Sequence, residues 1–345
     1  MSKKDNTIAI GTSPFIYSYL KIKKIEATVY DNNNMDFLGG MWSNTRFENK
    51  DFVEFAPHLI ELFETKDLKT FEDIFNLKFI YSKNKTYFCF KNKKYNIEKI
   101  LHRLLFIFKQ VITSNNISYE WLGKQKNFLL NNKRYIQPEE GYSQIGKELQ
   151  NFFVNSNKIN LVCNRIEEIN IEKDFISVKP LNDLKIKFDR LIFTRGISEC
   201  KIFFQGNDLT KFWDKKNQII QNTIIRIKGR LIHSARYYKF INEDIDRIAK
   251  IRTEADSSVF VVQRYIKESE KNQNKDDLHK IIKDTLRRYD LISSLNLIEL
   301  IKTHYGYSAS FSISDVNFKK INKILPSNVE MINSKAFSPF LLQLD

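Results

Sequence analysis

The chain has 345 residues, a formal charge of +15, 42% hydrophobic residues, 13% aromatic residues and three cysteines. That length is ample for a large buried core, and the apolar content argues against a disordered chain. No apolar run reaches the roughly 18 residues that a membrane-spanning helix needs.

The positive charge raises the question of nucleic acid. The lysines are spread along the chain and not gathered in one arm. Glycine is scarce, with 10 in 345 residues, about 3% against a usual 7% or so. Lys, Asn, Ile and Phe are abundant. An AT-rich genome would give that bias with no functional cause. Nucleic acid is therefore not the expected partner, and an anionic nucleotide-type small molecule is. Cys89, Cys163 and Cys200 are far apart, with no Cys-x-x-Cys or Cys/His cluster, so no metal site is expected. Unpaired thiols suit a reducing compartment. Met1 to Asp5 leads straight into strand-like sequence, leaving no room there for a signal peptide, and a cytoplasmic location is expected.

Thr7-Ile8-Ala9-Ile10 reads as a buried strand, followed at once by Gly11-Thr12-Ser13-Pro14 and a helix-like run. Ala27-Thr28-Val29-Tyr30 reads as a second strand, ending in Asp31. Strand, glycine turn, helix, strand and an acid about twenty residues on is the layout of a dinucleotide-binding βαβ unit. The fingerprint G-x-G-x-x-G is altered. Gly11 can make the tight turn, but Ser13 and Ile16 occupy the second and third glycine positions. Ser13 adds a Cβ where backbone would approach a pyrophosphate, and Ile16 must push the helix out or point elsewhere. The helix N-terminus can still offer N–H groups to a phosphate, and Asp31 can accept from ribose hydroxyls. The same residues also fit a strand–turn–helix unit that binds nothing.

Further along, Phe79-Ile80-Tyr81 and Tyr87 to Phe90 flank Ser82-Lys83-Asn84-Lys85, which predicts a hairpin. Ile100, Leu101, Leu104, Leu105, Phe108 and Ile112 recur at helical spacing, a pattern suited to core packing or to lining a pocket. Pro138 to Tyr142 opens a helix through Ile145, Leu149 and Phe152. Strands are predicted near 158–162, 165–169, 175–178 and 188–196. Residues 201–300 look like a separate module containing the buried strand Val259 to Val262. Asn328 to Ile332 reads as a last strand.

These pieces in this order resemble the flavin-dependent amine-oxidase superfamily, most closely its UDP-galactopyranose mutase branch. Gly11, Asp31 and Gly39-Gly40 look like the family's FAD-binding start. Phe55 to Ile60 is similar to its aromatic-Gly-Pro/Ala-His segment beside the flavin. Asn164 to Ile169 resembles the strand whose backbone meets the adenine, and Phe188 to Thr194 the strand that returns to the FAD domain. Tyr237 to Asn242 with Asp246-Arg247-Ile248, Tyr305-Gly306-Tyr307, and Asn328 to Lys335 resemble mutase segments. The resemblance implies an α/β fold: a Rossmann-like FAD/NAD(P)-binding domain built from 1–60, 135–200 and 300–345. An α+β substrate domain would be inserted as 61–134 and 201–299.

The resemblance also implies roles. Gly11, Ser13, Asp31, Gly39, Gly40, Ile166 and Lys335 would bind the cofactor, expected to be FAD. Arg247 would neutralise a nucleotide diphosphate, with Arg236, Tyr305 and Tyr307 holding substrate, and His58 would lie against the flavin. The implied function is a flavoprotein acting on a nucleotide-linked sugar in surface-polysaccharide synthesis. Two alternatives stay open: a FAD-free relative with a binding or scaffold role, and an amine-oxidase-type FAD-dependent oxidoreductase. Ser13, Ile16 and Ser334-Lys335, where the family has glycines and Gly-Arg, keep the first of these open.

Overall fold

The computed structural model describes residues 6–32, 38–42, 44–47, 51–54, 60–62, 66–81, 86–113, 134–197, 200–215, 219–229, 231–232, 235–307 and 311–334. The βαβ reading holds. Strand β1 (Thr7–Ile10) leads through Gly11 to helix α1 (Pro14–Ile22) and on to strand β2 (Ala27–Asp31). Pro14 stands at the first helical position, where a missing N–H costs nothing. β1 pairs in parallel with β2, Ile8 opposite Thr28 and Ile10 opposite Tyr30.

Three later strands complete a five-stranded parallel sheet. Ile159–Cys163 flanks β2, Arg190–Thr194 flanks β1 on its other side, and Val329–Ile332 forms the far edge. Its strands are thus drawn from four separated stretches of the chain. Alternate residues feed the two faces, as the period of a strand requires. Ala9, Val29 and Ile192 point into one core with Ile16, Tyr17 and Leu20 of α1 and Leu149 and Phe153 of the Ser143–Asn155 helix. Ile8, Tyr30, Leu191 and Phe193 point into the other. A sheet buried on both faces reads as continuous hydrophobic sequence, which is how these strands look.

The second face is covered by a five-stranded mixed sheet. It comprises Ile166–Ile171, Ile176–Pro180 and Ile186–Phe188, joined by Lys201–Phe204 and Asn207–Asp208. Pairing therefore continues past residue 200, where the sequence suggested a new module. Likewise Phe71 and Phe75, on the Lys66–Phe75 helix, and Phe79 pack into the α1 core, with the Tyr17 and Phe75 rings 5.3 Å apart.

The remaining large unit is a seven-stranded sheet built mainly from Ile219–Lys228, Tyr237–Phe240, Arg247–Thr253, Ser257–Ile266 and Leu297–Tyr307, with Thr86–Phe90 and Lys93–Asn96 at one edge. One of its faces packs on the Lys275–Arg288 helix through Leu278, Ile282 and Leu286. The short strand expected at 259–262 is a ten-residue strand, Ser257–Ile266.

Two expectations fail. Phe79–Tyr81 and Thr86–Phe90 do not form a hairpin: the first pairs with Arg134–Pro138, the second lies in the seven-stranded sheet. The real hairpin joins Thr86–Phe90 to Lys93–Asn96. Its two turn residues, Lys91 (φ 48°) and Asn92 (φ 60°), both sit in the left-handed region, as a tight hairpin turn demands. Lysine hides that signal. The apolar stripe on the Ile100–Thr113 helix does not pack into the core either: Ile100, Leu101, Leu104, Leu105, Phe108 and Ile112 are all exposed. Among the described residues no helix is long and apolar enough to cross a membrane.

Candidate functional site

At the C-terminal ends of β1 and β2 the chain builds a closed polar turn. Gly11 takes φ +86°, and its N–H donates to the Tyr30 carbonyl at 2.7 Å. A Cβ there would meet no atom within 4 Å, so the space above the turn is open. Thr12 follows, fully buried. Its N–H donates to Asp31 Oδ2 at 2.8 Å, and its hydroxyl donates to the same oxygen. That hydroxyl in turn accepts the Gly39 N–H at 2.8 Å. Gly39 is left-handed at φ +93°. Asp31, also buried, thus ties the first turn of the βαβ unit to the Gly39-Gly40 segment.

Ser13 does something other than mimic a glycine. Its backbone is extended and its hydroxyl accepts the Ile16 N–H at 3.4 Å, so it is the N-cap of α1. Ile16 points into the core and is fully buried. The helix start is therefore well formed without the second and third glycines. Ile166 is buried in the second core, so only its backbone could meet a ligand. On the strand beside β2, Cys163 stands directly opposite Asp31 and is exposed. Burial followed by the Asp31 charge pushes its thiol up.

An aromatic bridge runs from this turn toward the large sheet. Trp42, whose N–H donates to the Gly39 carbonyl, lies 6.3 Å from the Tyr142 ring. Tyr142 is pinned by its hydroxyl, which donates to the Ile136 carbonyl at 2.8 Å. The Arg236 guanidinium stands 5.1 Å over the Tyr142 ring, a cation–π contact.

On the seven-stranded sheet, residues directly opposite one another share a face. Such a row runs His304, Asn222, Gln263, Arg247, Lys239, Phe88 and Tyr95. It lies on the face turned away from the Lys275–Arg288 helix. Arg247 Nε donates to Asp246 Oδ2 at 2.5 Å, and its Nη2 reaches the Tyr265 hydroxyl at 3.5 Å. Lys239 donates to the other oxygen of Asp246. Two cations thus share one carboxylate. Burial pushes the Tyr237 phenol up to about 12, with Arg247 pulling against it. Burial lowers Lys239, with Asp246 opposing and Arg247 adding to the fall. His304 is lowered to about 4 by burial and by Lys302, so its imidazole is neutral at pH 7.

Gly11, Asp31 and Gly39 meet, with Ser13 capping beside them and Gly40 next in chain. Arg236 reaches them through Tyr142 and Trp42, with no direct hydrogen bond to Gly11, Asp31 or Gly39 among the described residues. Arg247 does not meet Tyr305. Tyr305 stands opposite Gln221, which stands opposite Arg264, one residue out of step with the Arg247 row and so on the other face. There Gln221 donates to the Tyr305 hydroxyl at 3.2 Å, and Arg264 donates to Gln221 at 3.1 Å and to Gln273 at 2.9 Å. A diphosphate held jointly by Arg247 and Tyr305 is therefore not what this sheet offers. Tyr307 is placed opposite Ile219, and its side chain, like His58 and Lys335, lies outside the described residues.

Sequence reasoning missed Thr12, the residue that engages Asp31; it sits at a free position of the fingerprint and carries no signal there. It also missed Arg195. That guanidinium donates to Asp315 at 2.8 Å and to Asn333 at 3.0 Å, tying the end of Arg190–Thr194 to the Asp315–Ile324 helix. Among the described residues no group of His, Cys, Asp and Glu is arranged to hold a metal.

A parallel βαβ sheet assembled discontinuously, a mixed sheet on one face and a large separate sheet define the class: this chain has the fold of the FAD-dependent amine-oxidase superfamily. Solved structures agree. Putrescine oxidase bound to putrescine superposes with a TM-score of 0.62 at 9% identity, over 96% of this chain and 93% of that one. Reduced UDP-galactopyranose mutase gives 0.62 at 13% identity, over 94% and 89%. The fatty acid isomerase of P. acnes that produces CLA gives 0.58 at 10% identity, over 97% and 94%. At such identities the likeness is one of fold. No family model matches the chain. Over 253 residues, 67% of its length, the chain is 26% identical to Reticulocyte-binding protein homolog 1 of Plasmodium falciparum, and it spans only 8% of that protein.

Proposed function

We propose that the chain is a FAD-dependent enzyme acting on an anionic, nucleotide-linked sugar, a substrate class that suits surface-polysaccharide synthesis. The open left-handed turn at Gly11, the N-terminus of α1 and the buried Asp31 suit the nucleotide half of FAD. When bound, the flavin supplies the redox or nucleophilic chemistry. The chain's own residues hold and orient. Thr12 fixes the Asp31 carboxylate, and Gly39 and Gly40 bring a second backbone segment to it. Cys163 flanks the same edge.

One observation carries the substrate reading. Lys239 and Arg247 share the single carboxylate of Asp246, which leaves a local excess of positive charge on a largely buried sheet face. That excess favours an anionic ligand through charge-assisted hydrogen bonds. It also disfavours the cationic amine that an amine oxidase takes. The FAD-free reading draws on a different observation: Asp31 Oδ2 and the Thr12 hydroxyl already find partners within the protein.

The absorbance of the purified protein between about 350 and 500 nm, where a bound flavin absorbs, separates these readings. A featureless spectrum that added FAD does not change sinks the flavoenzyme. For the substrate, calorimetry against a panel of nucleotide sugars is the test. Arg247→Ala should weaken binding by about 1.5–3 kcal/mol, the range for hydrogen bonds to charged groups. Arg247→Lys should recover part of it, since the planar fork is lost. Binding of none of the panel by wild type would remove the nucleotide-sugar reading.

A further inference from the structure

The Ile100–Thr113 helix is amphipathic the wrong way round for a core element. Its buried side carries Arg103 and Phe106, and Phe106 packs on Phe88 (rings 5.4 Å apart), Phe90 and Tyr95 of the hairpin beneath. Its outer side carries Ile100, Leu101, Leu104, Leu105, Phe108 and Ile112, between 48% and 64% exposed. At about 100° per residue these six fall within an arc of roughly 140°. A continuous apolar stripe of large side chains on an outer face is a docking surface.

The surroundings of the stripe say what docks. Lys91 and Lys93, at the hairpin beneath the helix, and Lys99, at its start, are exposed and outnumber the exposed Glu98 beside them, and the whole chain carries +15. A second copy would bring two such basic faces together. An anionic lipid surface meets both features: acyl chains take the apolar arc, and headgroups take the lysines.

We infer that the Ile100–Thr113 helix is an in-plane membrane anchor that seats the protein on anionic lipid through Leu101, Leu104, Leu105, Phe108 and Ile112. The attachment lies on the surface and needs no spanning helix. Its position has a functional corollary. Phe88 and Tyr95, on which the helix rests, are the last members of the row that contains Lys239 and Arg247. The anchored edge is therefore the edge of the cationic face, and docking holds that face beside the lipid. The inference does not depend on the flavin or sugar reading.

Flotation of the full chain tests it, with vesicles of phosphatidylcholine alone and of phosphatidylcholine mixed with phosphatidylglycerol. Wild type should float with the anionic vesicles, less so as salt rises and little with phosphatidylcholine alone. The double variant Leu104→Asp/Phe108→Asp changes only exposed side chains. It should keep the wild-type circular dichroism spectrum and lose binding by about tenfold or more, because binding scales with buried apolar area. Lys93→Glu/Lys99→Glu should weaken binding to anionic vesicles alone. Failure of wild type to float overturns the inference, as does undiminished flotation of the double variant. A wild-type dimer that the double variant dissociates, without vesicle binding, would give the stripe to a second copy instead. A stripe covered in solution by the chain's own residues would likewise show no vesicle binding.

Discussion

Thr12→Val isolates the hydrogen-bond knot at the nucleotide turn. Valine has nearly the shape of threonine, so the change removes a hydroxyl and little else. Two bonds go with it. Asp31 Oδ2 loses the hydroxyl donor and keeps the Thr12 N–H at 2.8 Å. The Gly39 N–H, at 2.8 Å from that hydroxyl, loses its acceptor. A hydrogen bond to a charged group is worth about 1.5–3 kcal/mol, and a buried donor left unmet costs about 1–3 kcal/mol. The two losses share one atom and do not add fully, so about 2–4 kcal/mol is expected. That is a large part of the roughly 5–15 kcal/mol that holds a typical domain folded. Urea unfolding followed by circular dichroism, at matched flavin content, measures it. Thr12→Ser keeps the hydroxyl and should restore most of the loss. A Thr12→Val protein as stable as wild type, or a Thr12→Ser protein no better than Thr12→Val, would refute the knot.

Asp246→Asn leaves Lys239 and Arg247 facing each other without their shared carboxylate, and should cost about 2–4 kcal/mol, less than a fully buried pair because both cations keep some solvent; urea unfolding with unchanged midpoint would count against it. His304 is depressed from 6.5 to about 4, so the unfolded chain binds its proton first. Stability from this group is therefore full above about 6.5, falls as pH drops toward 4 and is level below that. An imidazole that titrates near 6.5 in the folded protein by NMR would overturn that. Among the cysteines, Cys89 and Cys200 are buried, and burial pushes the Cys200 thiol up to about 12. Ellman's reagent should modify one thiol in the native protein, that thiol should be Cys163, and FAD should slow the reaction; a Cys163→Ser variant that still reacts would exclude this.

The parts legible in the sequence were those governed by local chemistry. Thr7–Ile10, Gly11, Pro14 and Asp31 announce a βαβ unit because a buried parallel strand, a left-handed turn and a helix start each restrict residue choice. The rest depended on pairings between distant residues. Nothing near Thr12 signals that its hydroxyl will bridge Asp31 and Gly39. Tyr305 and Arg247 are both polar residues on strands, and only the register through Gln221 and Arg264 puts them on opposite faces. The Ile100–Thr113 helix shows the limit of periodicity: spacing identifies an apolar face but not what meets it.

The parallel sheet also constrains the order in which the chain can fold. Its edge strand Val329–Ile332 follows the whole seven-stranded sheet, whose last strand ends at Tyr307. During synthesis the large sheet can close while Arg190–Thr194 still has an unpaired edge. An exposed buried-type strand such as Arg190–Thr194, with Leu191, Ile192 and Phe193, is a template for wrong pairing until its neighbour emerges. Closing a loop of this length is slow for entropic reasons. A nascent chain halted just before Val329 should therefore aggregate unless a chaperone holds it, even though the large sheet is already complete.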